Sequence, residues 1–210
     1  MFVGIGPGVV YKSTFEQVLA GALMKSGVSH GYESAIINID QKRDIRFTPD
    51  FALGIAKRGK PAVIEVHTED YFHMAFVWKL FVAKRLEPKF YYVLAMPSTY
   101  AGIEQRMLEL SGPSSRRSDD ERKLGPLEFK SMLSWNGDGT EMDMINSEFN
   151  LKLRTRSLKV RDICDQFWSL PIWEVHNYDY YTEVGRTFVE YIEGLKRDAM
   201  WDSVAELKRK

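Results

Sequence analysis

"RFTPDFALGIAKRGKPAVIEVHTE", residues 46–69, has the pattern of a strand, a turn and a second strand. Two acidic residues, Asp50 and Glu65, stand where apolar side chains would pack well, and His67 follows the second of them. The residues "KRGK" between the two apolar runs are expected to form the turn. The pattern predicts a β-hairpin that carries two carboxylates on neighbouring strands.

The length of the turn determines which residues face each other across this hairpin. If Lys57 and Arg58 alone form the turn, Asp50 faces Glu65. If all four residues of "KRGK" form it, Asp50 faces His67 and Glu65 lies diagonal to Asp50. Side chains alternate between the faces of a strand, so both registers place the two acids and the histidine on one face. A loop of three or five residues would separate them.

Two carboxylates paired across a sheet repel each other, because their Cβ atoms are only ~5 to 8 Å apart. A hard divalent cation offsets this repulsion, and two carboxylates with water and a substrate phosphate form a typical Mg²⁺ site. Such an ion polarises a phosphodiester and lowers the pKa of an attacking water. The pattern also fits a second interpretation, in which both carboxylates lie on a solvated face.

Composition indicates one ordinary globular domain spanning residues 1–210. The chain has 44% hydrophobic and 28% charged residues, and its 29 basic residues balance its 29 acidic ones. The net charge therefore neither favours nor excludes an anionic partner. The single cysteine, Cys164, is expected to be a buried core residue in a reducing compartment. No signal peptide or apolar membrane span is evident, so we expect a soluble, cytoplasmic protein without a membrane partner.

The order of predicted elements indicates an α/β fold with a central mixed β-sheet flanked by helices. Its core spans about residues 11–97, followed by a polar excursion at about 111–150 and a C-terminal helical and strand addition at 151–210. His30 is expected in a loop, and Cys164 at helical spacing from Phe167 and Trp168. The predicted helices are 11–27, 69–87, a short one at 127–133 and 182–208, and the predicted strands are 34–40, 45–53, 61–67, 89–97 and 171–181.

"TPDFAL" and "IEVH", with fourteen residues between Asp50 and Glu65, resemble the motif of the PD-(D/E)XK nuclease superfamily. The order of helix, meander, helix and buried strand is also similar to its restriction-endonuclease-like core, over about residues 11–97. The general similarity is to small archaeal or viral nucleases, including Holliday-junction resolvases. This resemblance implies a nuclease that requires Mg²⁺ or Mn²⁺, acts on duplex or branched DNA and often assembles as a homodimer.

Carried onto this sequence, the resemblance implies that Asp50 and Glu65 bind the metal and that the Val66 carbonyl completes the ligand set. Glu16 in the first helix matches an acid that many members place near the metal, often through water. Glu16 also fits a capping box, in which its side chain bonds back to the backbone of Ser13. Both roles of Glu16 remain open at this point.

The superfamily's motif lysine is replaced here by His67. Histidine could act as a general base or, when protonated, as an electrostatic stabiliser. Alternatively, Lys79 of the following helix could fill the role of the lysine, although it also fits a side chain that snorkels at the edge of the core. A third alternative is a catalytically impaired nuclease fold that only binds DNA or serves in assembly.

Basic residues cluster in two places where DNA phosphates could bind. One cluster lies in "KLRTRSLKVR" and the other in the polar excursion, and both also fit solvated surface. The aromatic tail at residues 173–192 could supply a dimer interface or pack within the chain. The candidate nucleic-acid-binding residues are Lys152, Arg154, Arg156, Lys159, Arg161, Arg116 and Arg117.

Overall fold

The protein's structure, a computed structural model, describes residues 9–41, 44–68, 74–96, 141–155, 157–170 and 180–207. It contains five helices in these ranges: α1 (Thr14–Lys25), α2 (Met74–Leu86), α3 (Glu141–Arg154), α4 (Val160–Ile163) and α5 (Tyr180–Leu207). The strands are β1 (His30–Tyr32), β2 (Ile37–Asp40), β3 (Ile45–Phe47), β4 (Phe51–Lys57), β5 (Lys60–Val66), β6 (Tyr91–Met96) and β7 (Gln166–Ser169).

The centre of the fold is a five-stranded mixed sheet with strand order β1-β4-β5-β6-β7. The β1–β4 and β4–β5 pairs are antiparallel, whereas the β5–β6 and β6–β7 pairs are parallel. β2 and β3 form a separate antiparallel pair. The α/β class and the mixed sheet flanked by helices are therefore confirmed.

Helices cover both faces of this sheet and create two apolar layers. On one face, α1 and α5 pack on the sheet through residues such as Leu19 and Phe188, which are fully buried. On the other face, α2, α3, α4 and the β2–β3 pair enclose Trp78, Phe81 and Phe149. β6 is buried along its whole length, as expected for a strand covered on both faces.

The β4–β5 hairpin contains both registers that the sequence left open. Its turn is Arg58-Gly59, and both residues have positive φ angles, 53° and 72°, as a two-residue type I′ turn requires. Next to the turn Lys57 pairs with Lys60, but beyond an irregularity the register shifts, and Phe51 pairs with Ile64. The register of the Phe51–Ile64 pair is the one expected for a turn of Lys57 and Arg58 alone, and continued by one residue it would set Asp50 opposite Glu65.

Several predicted elements were wrong in extent or type. The predicted strand 45–53 is interrupted at Thr48–Asp50, where Pro49 has no N–H to donate, so β3 and β4 belong to different sheets. His30 begins β1 and is buried rather than in a loop. The polar excursion was expected to reach residue 150, but residues 141–154 form α3.

The C-terminal region also differs from expectation. Residues 166–169 form β7 instead of continuing a helix after Cys164, although Cys164 is buried as predicted. Tyr180 and Tyr181 begin α5 rather than ending a strand, and residues 171–179 lie outside the described ranges. The described part of the aromatic tail packs within the chain, because Phe188 and Ile192 are buried against α1.

The remaining predicted elements agree with the structure or cannot be compared with it. α1 ends before Gly27, whose φ of +65° is typical of a helix stop. The short helix expected at 127–133 lies outside the described residues. Among the helices that the structure describes, none combines the length and apolar character needed to cross a membrane.

Candidate active site

The side chain of Asp50 links the beginning of β4 to the end of β5. Its Oδ2 atom accepts a hydrogen bond from the Val66 backbone N–H at 2.6 Å. Its own carbonyl accepts a hydrogen bond from the Glu33 N–H at 2.8 Å. Only 7% of Asp50 is exposed. These contacts fix an aspartate at the point where the chain enters the central sheet.

Glu65 precedes Val66 on β5 and carries an unsatisfied buried atom. The residue is half-buried, yet its Oε2 atom is buried and has no hydrogen-bond partner among the residues that the structure describes. A buried polar atom without a partner is costly and is rare in folded proteins. The site therefore contains a carboxylate oxygen for which the described part of the chain supplies no donor.

Burial raises the pKa of both carboxyl groups. For Asp50, desolvation raises the pKa to about 7, while the Val66 N–H lowers it and the Glu16 charge raises it. For Glu65, desolvation and then the nearby Asp50 charge hold the pKa well above its usual value. The two acids thus resist being ionised together unless a positive charge joins them.

Glu16 of α1 belongs to the same cluster of acids. It is 6% exposed, and its Oε2 atom accepts hydrogen bonds from the Lys12 backbone N–H and the Tyr32 hydroxyl, each at 2.8 Å. Half of the predicted capping box is present, because Ser13 Oγ accepts from the Glu16 N–H at 3.1 Å. The reciprocal bond goes to Lys12 instead of Ser13, which turns the Glu16 carboxylate toward β1.

Glu16 is not gathered with Asp50 and Glu65 into a three-ligand metal set. Across the described ranges, no group of three or more His, Cys, Asp and Glu side chains has that arrangement. The carboxylate oxygens of Asp50 and Glu65 match the ligands preferred by Mg²⁺ or Mn²⁺, which retain several waters. The orphaned Oε2 atom of Glu65 fits such an ion, and Glu16 would act on it through water.

His67 leaves the end of β5 and packs on α2. Its ring stacks on Phe76 with 4.3 Å between the ring centroids and 16° between the planes. Its backbone N–H donates to the Ala95 carbonyl at 2.9 Å, which extends the β5–β6 pairing by one residue. Val63 packs in the α2 layer, so strand alternation places Glu65 and His67 on that face too.

The predicted Lys79 lies half-buried on α2, three residues after Phe76. This spacing puts it one helical turn from the ring that His67 contacts. A different lysine, Lys12, acts electrostatically on both carboxyl groups and lowers the pKa of each. Lys12 precedes the α1 cap and has no place in the apolar periodicity, so sequence reasoning did not identify it.

The basic stretch that follows residue 151 contains one lysine whose charge is paired with acidic side chains and several exposed cations. Lys152 Nζ pairs with Asp162 Oδ1 at 2.7 Å, with Glu148 Oε1 at 3.6 Å and also lies over the Phe81 ring. By contrast, the remaining described members are exposed: Arg154, Lys159 and Arg161. Arg156, Arg116 and Arg117 lie outside the described residues.

The structure does not bring Arg161 to the carboxylates. Lys84, in the last turn of α2, donates to the Arg161 carbonyl at 2.9 Å, and this turn precedes the start of β6. Asp50 and Glu65 instead lie toward the end of β5 that pairs with the end of β6. The α4 region and the carboxylates are thus at opposite ends of the parallel strands.

Comparison with known proteins supplies no relative for this chain: no family model, no curated protein and no solved structure matches it.

Proposed function

We propose that the protein is a divalent-metal-dependent nuclease that hydrolyses DNA phosphodiester bonds on a restriction-endonuclease-like core. The observation that carries the proposal is the buried, unpartnered Oε2 atom of Glu65 beside the buried carboxylate of Asp50. A pair of solvated surface acids would have neither feature. Further support comes from the parallel β5–β6 pair joined through α2, because the resemblance predicts this order of elements.

In this proposal Asp50, Glu65 and the Val66 carbonyl hold Mg²⁺ or Mn²⁺. The bound ion would supply Lewis acidity toward the phosphodiester and a lowered pKa for the attacking water. The Val66 N–H fixes the Asp50 carboxylate through Oδ2. Glu16, held by Tyr32, orients water at the edge of the site.

His67 and Lys79 are the residues that the sequence offers in place of the motif lysine. The His67 ring stacks on Phe76, and Lys79 follows Phe76 by three residues in α2. A protonated His67 would stabilise negative charge on the phosphate, and a neutral His67 would accept a proton from water. In the proposal, a long DNA substrate also reaches the exposed cations Arg154 and Lys159, near α4 and at the opposite end of the parallel strands from the carboxylates.

The test is cleavage of supercoiled, linear and branched DNA in Mg²⁺ or Mn²⁺. We expect the wild-type protein to cleave at least one form and EDTA to stop the reaction. Asp50→Asn and Glu65→Gln should each remove cleavage, because an amide cannot supply the same anionic ligand. Cleavage that persists in either variant would remove the basis of the assignment.

Asp165→Asn is a matched control for these variants. Asp165 Oδ2 accepts a hydrogen bond from the Tyr92 backbone N–H at 2.9 Å, much as Asp50 accepts from Val66. Asp165 lies beside the start of β6, whereas the proposed metal ligands lie toward the end of that strand. This control should retain both cleavage and its metal dependence.

One observation favours a second candidate function, a DNA-binding or assembly protein without catalysis. The ring of His67, which occupies the position of the motif lysine, stacks on Phe76. A protein of this kind would bind DNA in a salt-sensitive manner and leave it uncut in either metal.

Sedimentation of the protein with and without DNA would test the homodimer that the resemblance implies.

A further inference from the structure

We propose that Lys12 is a catalytic residue of the Asp50–Glu65 site, where its ammonium group contacts the phosphate of the bound DNA. This inference rests on the proposed nuclease function and extends it to a residue outside the motif. Lys12 stays protonated throughout. Its role is to stabilise negative charge that develops on the phosphate oxygens as water attacks.

The backbone of Lys12 is anchored to the acid cluster. Its N–H donates to Glu16 Oε2 at 2.8 Å and also lies 3.3 Å from the Tyr32 hydroxyl oxygen. The same Tyr32 hydroxyl donates to Glu16 Oε2. The Glu16 carboxylate and the Tyr32 hydroxyl thus fix the point from which the Lys12 side chain extends, immediately before the N-cap of α1.

The ammonium group of Lys12 also has an acidic partner near Asp50. Its Nζ atom forms an ion pair with Glu33. The backbone N–H of Glu33 donates in turn to the carbonyl of Asp50 at 2.8 Å. Lys12 is thus linked through its backbone to Glu16 and through its side chain to Glu33, whose backbone bonds to that of Asp50. These links bring its ammonium group to the Asp50 side of the acid cluster.

Exposure makes this lysine able to exchange its partner. The Lys12 side chain is 66% exposed and that of Glu33 is 34% exposed, and a pair in such contact with solvent is weak. An incoming phosphate offers the ammonium group a second anionic partner. Glu33 then holds the Lys12 ammonium group in place until a phosphate of the substrate replaces Glu33 as its partner.

Electrostatics agree with this geometry. The acids of the cluster are Glu16, Glu33, Asp50 and Glu65, and Lys12 is a cation whose charge reaches both Asp50 and Glu65.

The experiment compares single-turnover DNA cleavage in Mn²⁺ by wild type, Lys12→Met and Lys12→Arg. We expect Lys12→Met to cleave about 10²–10³-fold more slowly, as for the loss of one donor to a developing charge. Lys12→Arg should recover part of the rate because it keeps the charge. The rise in Tm that Mn²⁺ produces should persist in both variants, which would separate a catalytic loss from a folding or metal-binding defect.

Lys89→Met is the matched control. Lys89 has a side chain that is also 66% exposed, and it pairs with Glu87, which is 33% exposed, before the start of β6. This variant should cleave at a rate within about twofold of the wild-type rate. A tenfold change in rate would correspond to ~1.4 kcal/mol in the activation barrier, and the control should stay well below that. If the wild-type protein cleaves DNA and Lys12→Met cleaves it at the same rate, the role of Lys12 is overturned and the nuclease function stands. A wild-type protein that cuts no DNA form would overturn the nuclease function and this role together.

Discussion

The Val66 backbone N–H donates to Asp50 Oδ2 at 2.6 Å, and this bond joins the end of β5 to the residue that precedes β4. The bond occupies one oxygen of the Asp50 carboxylate and fixes its position. Glu65, the residue before Val66, is thereby held beside Asp50, although burial makes the ionised form of both carboxyl groups unfavourable.

The metal-free protein should lose stability from Asp50 as the pH rises from about 4 to about 7. The folded pKa is raised from 3.8 to about 7, so the folded state keeps a proton that the unfolded chain releases. This contribution is therefore largest below the unfolded pKa and is lost as the pH passes the folded value. At ~1.4 kcal/mol per pKa unit, the effect is on the order of a few kcal/mol.

Urea unfolding in EDTA at pH 5 and pH 8 would measure this effect through Asp50→Asn. The variant has no carboxyl group to ionise, so its free energy of unfolding relative to wild type should increase from pH 5 to pH 8. A difference between the two proteins that stays constant with pH would show that the Asp50 charge carries no such cost.

Gly54→Ala should destabilise the protein and disturb the hairpin. A Cβ atom at Gly54 would lie 3.1 Å from both the Cβ and the backbone oxygen of Ser29, and the oxygen cannot move easily. The Gly54 N–H also donates to that oxygen at 2.6 Å. We expect a loss of ~1–3 kcal/mol in the free energy of unfolding, measured in urea.

Gly21→Ala provides the contrast in the same assay. Gly21 lies in α1, is exposed, and a Cβ atom there would meet nothing within 4 Å. Alanine favours a helix interior over glycine by up to ~1 kcal/mol, so this variant should be more stable. If both alanines shifted stability in the same direction, the close β1–β4 contact would not be the cause.

Tyr32→Phe should weaken Mn²⁺ binding with a small effect on folding. The hydroxyl that fixes Glu16 is lost, and because Glu16 itself supports the ion only through water, the loss in metal affinity should not exceed the ~10–100-fold typical of an outer-shell partner. The comparison is Tyr92→Phe, whose hydroxyl donates to the Ala83 carbonyl at 2.9 Å, near the other end of the sheet. Isothermal titration should show weaker binding in the first variant and wild-type binding in the second.

Arg154→Ala and Lys159→Ala should each lower DNA affinity and reduce its dependence on salt. Both side chains are exposed, so little stability should be lost. Each phosphate contact contributes about 0.9 to the slope of log K against log salt concentration. Lys152→Met should instead destabilise the fold, because it leaves Asp162 without its ion-pair partner. Unchanged salt slopes in both exposed variants would place the DNA elsewhere.

The hairpin and the two carboxylates could be predicted because they depend on local rules. Alternation fixed the relation of Glu65 to His67, and the turn residues limited the register to two alternatives. The irregularity between Ala52 and Ala56 that combines both registers was not predicted; Gly54, which lies within it, meets Ser29, and these two residues are distant in the sequence. β1 was missed because three residues are too few to show a period.

Lys12 and β7 depend on contacts across the fold. Lys12 acquires its place from Glu16, Tyr32 and Glu33, which only the packing of β1 against α1 brings together. β7 was assigned to a helix because spacing from Cys164 alone fits that period. Its pairing with β6 decides otherwise, because the backbone groups of Gln166–Ser169 find partners there.

Titration of Mn²⁺ at pH 8, followed by Tm, is the most direct test of a cation held between Asp50 and Glu65. Saturation at 100 times Kd stabilises a folded protein by ~2.7 kcal/mol, or roughly 5–10 °C for a chain of this size. We expect a saturable rise of this order in wild type and Asp165→Asn, and none in Asp50→Asn or Glu65→Gln. An equal rise in Glu65→Gln would contradict the metal site, as would a wild-type protein whose Tm does not respond.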